Sequence, residues 1–494
     1  MREELNDLIE EMDLPFPESM QNGPWHVMRI LGGAETIFQF DGDKNAGLIV
    51  SDGNTYRVRQ DHLELYVRTA EAIQHRVLGL HNIDPPDPKA IEVHELMYEM
   101  AFNRIFQERR IRPELVRAFL WTQGKLDACL FYRMVQPAAM LNNDHMHGGR
   151  VQCDAHDRLN FQIAPFYDAV IVPRMADPNG IGTMQRLQQH GVSIIYETDD
   201  LLDENVPDWN PNKQHITPQT IAASKTIQDL ADAIFCTTPE LRDSLGHPEK
   251  TFVLKNALDL RLWPTEPKKR EEDKPVRIMW QGSPTHEADL AKIVEPLKAV
   301  MRQCGKAVEM LFWGHVPDGF LAKAKTKCGP AIVPKQEFKD QLVLEGRGVG
   351  IRDFPTVYAK LAPDIVVAPV VDCAFNQSKS ELKVLEGWAL GVPVVASPVT
   401  PYKRAIQHNV NGLLAQTKDD WRDHLLRLIS SPGERERLGT AGRKSLEEGY
   451  QAQQVALEYE RAIMLTVRKR PMPRFQAREA IEKRLEELNA LCPE

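Results

Sequence analysis

Short apolar runs separated by stretches of helical period recur from about residue 125 onward, and one proline- and charge-rich segment, 264–275, interrupts them. A short run that must be buried on both faces belongs to a parallel sheet, and parallel strands need helical crossovers between them. Two such series joined by a linker predict two doubly wound α/β units. In the first series Ala128-Cys-Leu-Phe-Tyr-Arg133 reads as a strand leading into a helix at Pro137, and 169–172, 192–196, 233–236 and 251–254 read as further strands. A helix is expected over 221–230, and another starts at Thr237-Thr-Pro-Glu240. The second series begins with a strand at 276–280, turns through Gln281-Gly-Ser-Pro-Thr-His286 into a helix, and continues with strands at 308–312 and 364–369.

At 494 residues the chain is long enough for two or three domains, and 42% hydrophobic residues suffice for their cores. The expected divisions are an accessory α+β region (1–122), a first Rossmann-like unit (123–263), the linker (264–275), a second unit (276–450) and C-terminal helices (451–494) that partly cross back onto the first. Within the accessory region a β-like stretch from Thr36 to Arg59 turns at Asp41-Gly and Asp52-Gly-Asn, and helices follow from His62 to Arg117. Seven scattered cysteines without a Cys-x-x-Cys arrangement argue for reduced thiols and against a zinc site. The first residues lack an apolar signal region, and no stretch approaches the roughly 18 apolar residues of a membrane span. The expected location is cytoplasmic, in the host cytoplasm if the protein is viral, with no integral membrane association.

The formal net charge of −9 speaks against a wholly basic nucleic-acid binder. Two local basic runs remain, Arg104 to Arg117 (with Arg109, Arg110 and Arg112) and Arg468 to Arg474, which are either solvated faces or contacts for a polyanionic acceptor or surface. His145, His147 and His156 cluster with Asp144, Asp154 and Asp157, but their spacing fits no zinc pattern, and a polar loop is the better reading.

The densest chemistry lies in Lys379-Ser-Glu-Leu-Lys-Val-Leu-Glu-Gly-Trp-Ala-Leu-Gly-Val-Pro-Val-Val-Ala-Ser397. A helix start presents unpaired N–H groups and a partial positive charge, which favour phosphate. Lys379 and Lys383, four apart, are expected to share a face and converge on one diphosphate. Glu386 follows, where a carboxylate can accept both cis hydroxyls of a ribose. Gly391-Val-Pro is expected to stop the helix before a buried strand at 392–396. The rival reading is a solvated Lys/Glu face on an ordinary helix.

This segment, continued by Ser397-Pro-Val-Thr-Pro-Tyr402 and Asn411-Gly-Leu-Leu414, resembles the C-terminal domain of retaining GT-B glycosyltransferases of the family-four-like group. Those enzymes carry two glutamates, the second of which binds the donor ribose. Glu386 matches the second, and Ser378, eight residues earlier, stands in place of the first. The resemblance extends over roughly 125–465 through Tyr196-Glu-Thr-Asp-Asp-Leu-Leu, Asn256 with Asp259, and Gly282-Ser-Pro-Thr-His286 with Asp289. It implies two Rossmann-like domains facing across a cleft, and transfer of a hexosyl or pentosyl group from a nucleoside diphosphate sugar such as a UDP-sugar. No tightly bound cofactor and no metal are implied. The acceptor would be a glycan or glycolipid hydroxyl, or a hydroxymethylated pyrimidine base in DNA. A nucleotide-sugar 2-epimerase and a non-catalytic sugar-nucleotide-binding protein are the alternatives.

Under this reading Lys379, Lys383 and Asp200 are the catalytic candidates, and Gly282, Ser283, His286, Ser380 and Glu386 the donor-binding ones. Gly282 and Ser283 would offer backbone N–H groups to phosphate, or form no more than a tight turn. His286 would bond a phosphate or cap its helix. Asp199 and Asp200 would meet donor-sugar or acceptor hydroxyls, or serve as turn and capping residues. Arg133, at the expected strand end, would face the same cleft.

Overall fold

The structure, a computed structural model, describes residues 115–122, 127–143, 150–156, 159, 164, 167–264, 274–326, 329–346, 348–351, 353–469 and 478–492, with the backbone of five short strands between residues 10 and 59. The helices expected over 62–114, Arg104, Arg109, Arg110, Arg112, Asp144, His145, His147, Asp157, most of the linker and 470–474 lie outside the described residues.

The five early strands, β1 (Glu10–Glu11), β2 (His26–Arg29), β3 (Glu35–Asp41), β4 (Ala46–Ser51) and β5 (Asn54–Arg59), form an antiparallel sheet in the order β1-β5-β4-β3-β2. Ser51 pairs with Asn54 at the end of the β4–β5 ladder, and the Asp52-Gly53 turn expected between them lies outside the described residues.

The first α/β unit contains β6 (Val116–Trp121), β7 (Val151–His156), β8 (Ala169–Pro173), β9 (Ser193–Thr198), β10 (Ala233–Cys236) and β11 (Thr251–Val253). They are all parallel, in the order β11-β10-β9-β8-β6-β7. The second contains β12 (Val276–Gly282), β13 (Val308–Gly314), β16 (Leu342–Glu345), β17 (Ile365–Ala368), β18 (Val394–Ala396) and β19 (Leu413–Leu414), parallel in the order β16-β13-β12-β17-β18-β19. A hairpin, β14 (Leu321–Thr326) with β15 (Gly329–Pro334), is inserted before β16. Each sheet reverses direction of build-up once, between β6 and β8 in the first and between β12 and β17 in the second. Such switch points open a crevice at the carboxyl ends of the strands.

Two local readings are corrected. The stretch 128–133 is helical: Ala128–Leu130 starts from an Asp127 cap whose carboxylate accepts the Leu130 N–H at 2.8 Å, and Phe131–Val135 continues as π-helix into Gln136–Asn143. The segment is buried almost all round, so neither a period of 2 nor one of 3.6 is visible in it. The first strand of the sheet is instead β6, whose residues 116 and 117 had been read as the end of a helix and of a basic run. Arg117 is fully buried and its guanidinium holds Asp154 at 2.9 Å, so the charge there is structural. His156 likewise stacks on Phe119 and bonds the Tyr167 hydroxyl at 3.2 Å. Among the described residues no group of three or more His, Cys, Asp or Glu could hold a metal ion, and no helix is long and apolar enough to cross a membrane.

The helix Ala452–Val467 leaves the second unit and packs on Gln136–Asn143, β7 and β9 of the first. Its Tyr459 hydroxyl donates to the Arg133 carbonyl, and buried Glu460 accepts the Arg150 N–H at 2.9 Å. Two α/β units joined by a returning C-terminal helix constitute the GT-B architecture.

Candidate active site

Strand β12 ends at the switch point with Trp280, Gln281 and Gly282, and the chain turns through Pro284–His286 into the short helix Glu287–Ala291. Gly282 has φ +155°, and a Cβ there would lie 2.8 Å from the Trp280 ring and 3.1 Å from Lys383 Nζ. Glycine is therefore required by both backbone and space. Gly282→Ala is expected to cost about 1–3 kcal/mol of local strain and to displace the Lys383 ammonium. The cost should appear as a lowered urea midpoint with the circular dichroism spectrum unchanged.

The motif segment enters this crevice in two parts. Helix Leu382–Ala389 begins only after Glu381, and Lys379 and Ser380 precede it. Lys379 and Lys383 are thus not stacked on one helical face. Lys379 instead lies over the Phe375 ring at 4.5 Å, and Lys383 lies over Trp280 at 5.4 Å with its Nζ donating to the Gln281 carbonyl at 2.8 Å. Both lysines act on His286, whose imidazole burial and the two ammonium groups push down to about 4. The helix stops at Gly391 (φ +65°), where the Val392 N–H meets the Gly387 carbonyl and the Gly391 N–H meets Trp388, the hydrogen-bond pair of a Schellman cap.

Glu386 is 4% exposed, and its Oε2 accepts from Gln281 Nε2 at 2.6 Å. Burial pushes its carboxyl up, with Lys383 opposing; burial pushes the Lys383 ammonium down, with Glu386 opposing. Gln281 therefore grips both charged residues, Lys383 through its carbonyl and Glu386 through its amide. It was not singled out from the sequence, where the only signal is its place at the end of an apolar run beside a glycine. The Tyr132 phenol of the first unit faces Glu386 across the cleft.

Ser283 is exposed and its hydroxyl bonds Thr285 at 2.6 Å. His286 does not cap its helix by a side-chain bond; its Nδ1 lies 2.7 Å from Asp289 Oδ2.

The first unit brings the end of β9 to the same cleft. Asp200 faces Lys379, which opposes the rise that burial imposes on its carboxyl. Asp199 lies 3.6 Å from Arg174, a residue at φ 42° that also pairs with Asp127 at 3.1 Å. Neither aspartate caps a helix among the described residues. Arg133 is placed differently from the expectation: at 2% exposure it lies in the π-helical turn, pairs with Glu197 at 2.6 Å and donates to the Leu254 carbonyl and to Asn256 at 3.2 Å. Asn256 in turn donates to Ser380 Oγ at 2.8 Å. Thr238, the N-cap of Pro239–Leu245, donates to the Ser378 carbonyl at 2.8 Å, so the two units meet at the residues flanking Lys379.

No curated protein matches the chain. Among solved structures, a variant of TarM from S. aureus in complex with fondaparinux, α-GlcNAc-glycerol and UDP is 14% identical over 60% of this chain, with a TM-score of 0.44; the match spans 55% of that protein's length. HepE from Anabaena in complex with UDP-glucose is 12% identical over 72% of this chain and 100% of its own, with a TM-score of 0.48. Sucrose-phosphate synthase from Thermosynechococcus elongatus is 14% identical over 70% and 97%, with a TM-score of 0.47. The family model of glycosyl transferases group 1 matches residues 276–431, the span that holds Gly282, His286, Lys379, Lys383 and Glu386. The second α/β unit is a glycosyl transferases group 1 domain.

Proposed function

We propose that the chain transfers a glycosyl group from a nucleoside diphosphate sugar to a hydroxyl acceptor, with retention at the anomeric carbon. The observation that carries this reading is the Lys383–Gln281–Glu386 set at the second switch point, with Lys379 beside it and Asp200, just past the end of β9, facing Lys379. Lys383 and Lys379 supply positive charge where a diphosphate leaves, held in place before the reaction begins. Glu386 takes the ribose hydroxyls, and the diphosphate lies against Gly282, where no side chain intervenes. The acceptor hydroxyl attacks from the face that the diphosphate vacates, and a leaving phosphate oxygen takes its proton. Asp199 and Asp200 stand on the sugar side of the cleft.

Glu386→Ala is expected to weaken nucleoside diphosphate binding by about 10–100-fold, as loss of hydrogen bonds to a charged group implies. Turnover at saturating donor should change far less. Calorimetric Kd set against kcat checks this, and an unchanged Kd moves the ribose contact elsewhere.

The reaction itself is tested by incubating the full chain with a panel of nucleoside diphosphate sugars. Each is tried with glycan acceptors, with DNA containing hydroxymethylcytosine or hydroxymethyluracil, and with no acceptor. A sugar mass gained by the modified base assigns DNA as acceptor, and gain on a glycan assigns that class. Release of nucleotide without transfer to any acceptor, or a changed sugar still joined to its nucleotide, contradicts the transferase reading.

A further inference from the structure

Asp289 is almost completely buried and accepts on both oxygens: Oδ1 from the Val371 N–H at 2.6 Å and Asn376 Nδ2 at 3.1 Å, Oδ2 from His286 Nδ1 at 2.7 Å. An ionised carboxylate only accepts, so the imidazole hydrogen resides on Nδ1 and Nε2 holds a lone pair. A lone pair is the wrong partner for a phosphate oxygen; an imidazolium N–H is the right one. The charged groups around the ring are Lys383 and Lys379 on the motif segment and Asp289 on its own helix. The turn Pro211–His215 of the first unit, which carries Lys213 and His215, also reaches the Pro284–His286 turn, while Glu287 next to the ring is paired with His315. Two ammonium groups and burial keep the ring neutral, and a bound diphosphate would offset both lysines.

We propose that Asp289 is a positioning residue that fixes His286 as its Nδ1–H tautomer, and that docking of a diphosphate brings one proton from solvent onto His286 Nε2. The inference rests on the proposed diphosphate site and adds a proton to its occupancy. The only bond made is N–H, and release of the nucleoside diphosphate returns the proton to solvent. Because the bound state holds more protons than the free one, affinity rises as pH falls.

The test titrates the full chain with UDP, GDP and ADP near pH 7, in two buffers of different ionisation enthalpy, and uses whichever binds most tightly. Wild type is expected to take up about one proton more per nucleotide than His286→Gln, and its log Kd to rise more steeply with pH by about one. Contributions of Lys383, Glu386 and the nucleotide's own phosphate are common to both proteins and cancel in the difference. Asp289→Asn offers an amide N–H to Nδ1, which moves the ring hydrogen to Nε2, so that variant should bind nucleotide without the extra proton. Equal proton counts in wild type and His286→Gln overturn the coupling while leaving the diphosphate site intact. Extra uptake retained in Asp289→Asn overturns the positioning role. Absence of binding by all three nucleotides sinks the site and the coupling together.

Discussion

Lys383→Ala is expected to lower kcat by about 10²–10³-fold, the loss that follows from removing one preorganised donor to a departing anion. The ammonium is not a mobile surface charge. Its Nζ bonds the Gln281 carbonyl and lies over the Trp280 ring, which hold it in place. Part of the effect is indirect, because Lys383 opposes the burial that raises the Glu386 carboxyl. Without it, more Glu386 is protonated near neutral pH, which would weaken the proposed ribose contact too. Lys379→Ala should act in the same direction, since Lys379 works on the same ring of groups from the Phe375 side. Single-turnover rates at saturating donor separate chemistry from binding, and near-normal rates in both variants would remove the diphosphate assignment.

The second large effect concerns stability. Arg133→Ala should destabilise the first α/β unit by about 3–5 kcal/mol, because it strands the buried Glu197 carboxylate without its cation. Glu197 is 2% exposed, and its remaining polar partner is the Tyr459 hydroxyl at 3.3 Å. The loss would also free the Leu254 carbonyl and Asn256, and Asn256 is the residue that reaches Ser380 beside Lys379. Replacing both members, as Arg133→Met with Glu197→Leu, should recover most of the stability, because an apolar pair of similar volume needs no desolvation of charge. Urea titration of the wild type, the single variant and the double variant measures this. A single variant as stable as wild type would mean that water reaches Glu197.

The parts of the site legible in the sequence are those whose chemistry is local in the chain. Gly282, Lys383 and Glu386 stand next to elements with a clear period, and the ends of β12 and of helix Leu382–Ala389 follow from glycine and from the apolar runs. Gln281, Arg174 and Tyr132 were not found that way, because each acts through a partner at least 25 residues distant, and no spacing rule reports such a pair. The misplacement of Arg133 has the same origin. A segment buried on every side displays no period, so the run 128–133 could be read as a strand until the Asp127 cap and the Glu197 partner were in view.

The sequence by itself determined the alternation of strands and helices and the residue types gathered in the motif segment, since each depends on hydrophobic period and residue type over a short stretch. Only the tertiary structure decided that Lys379 and Lys383 rest on two different aromatic rings, that Gln281 holds both Lys383 and Glu386, and that Asp289 Oδ2 lies against His286 Nδ1. Those outcomes depend on which strand ends the parallel sheets bring side by side, and on how far burial strips water from the charges placed there.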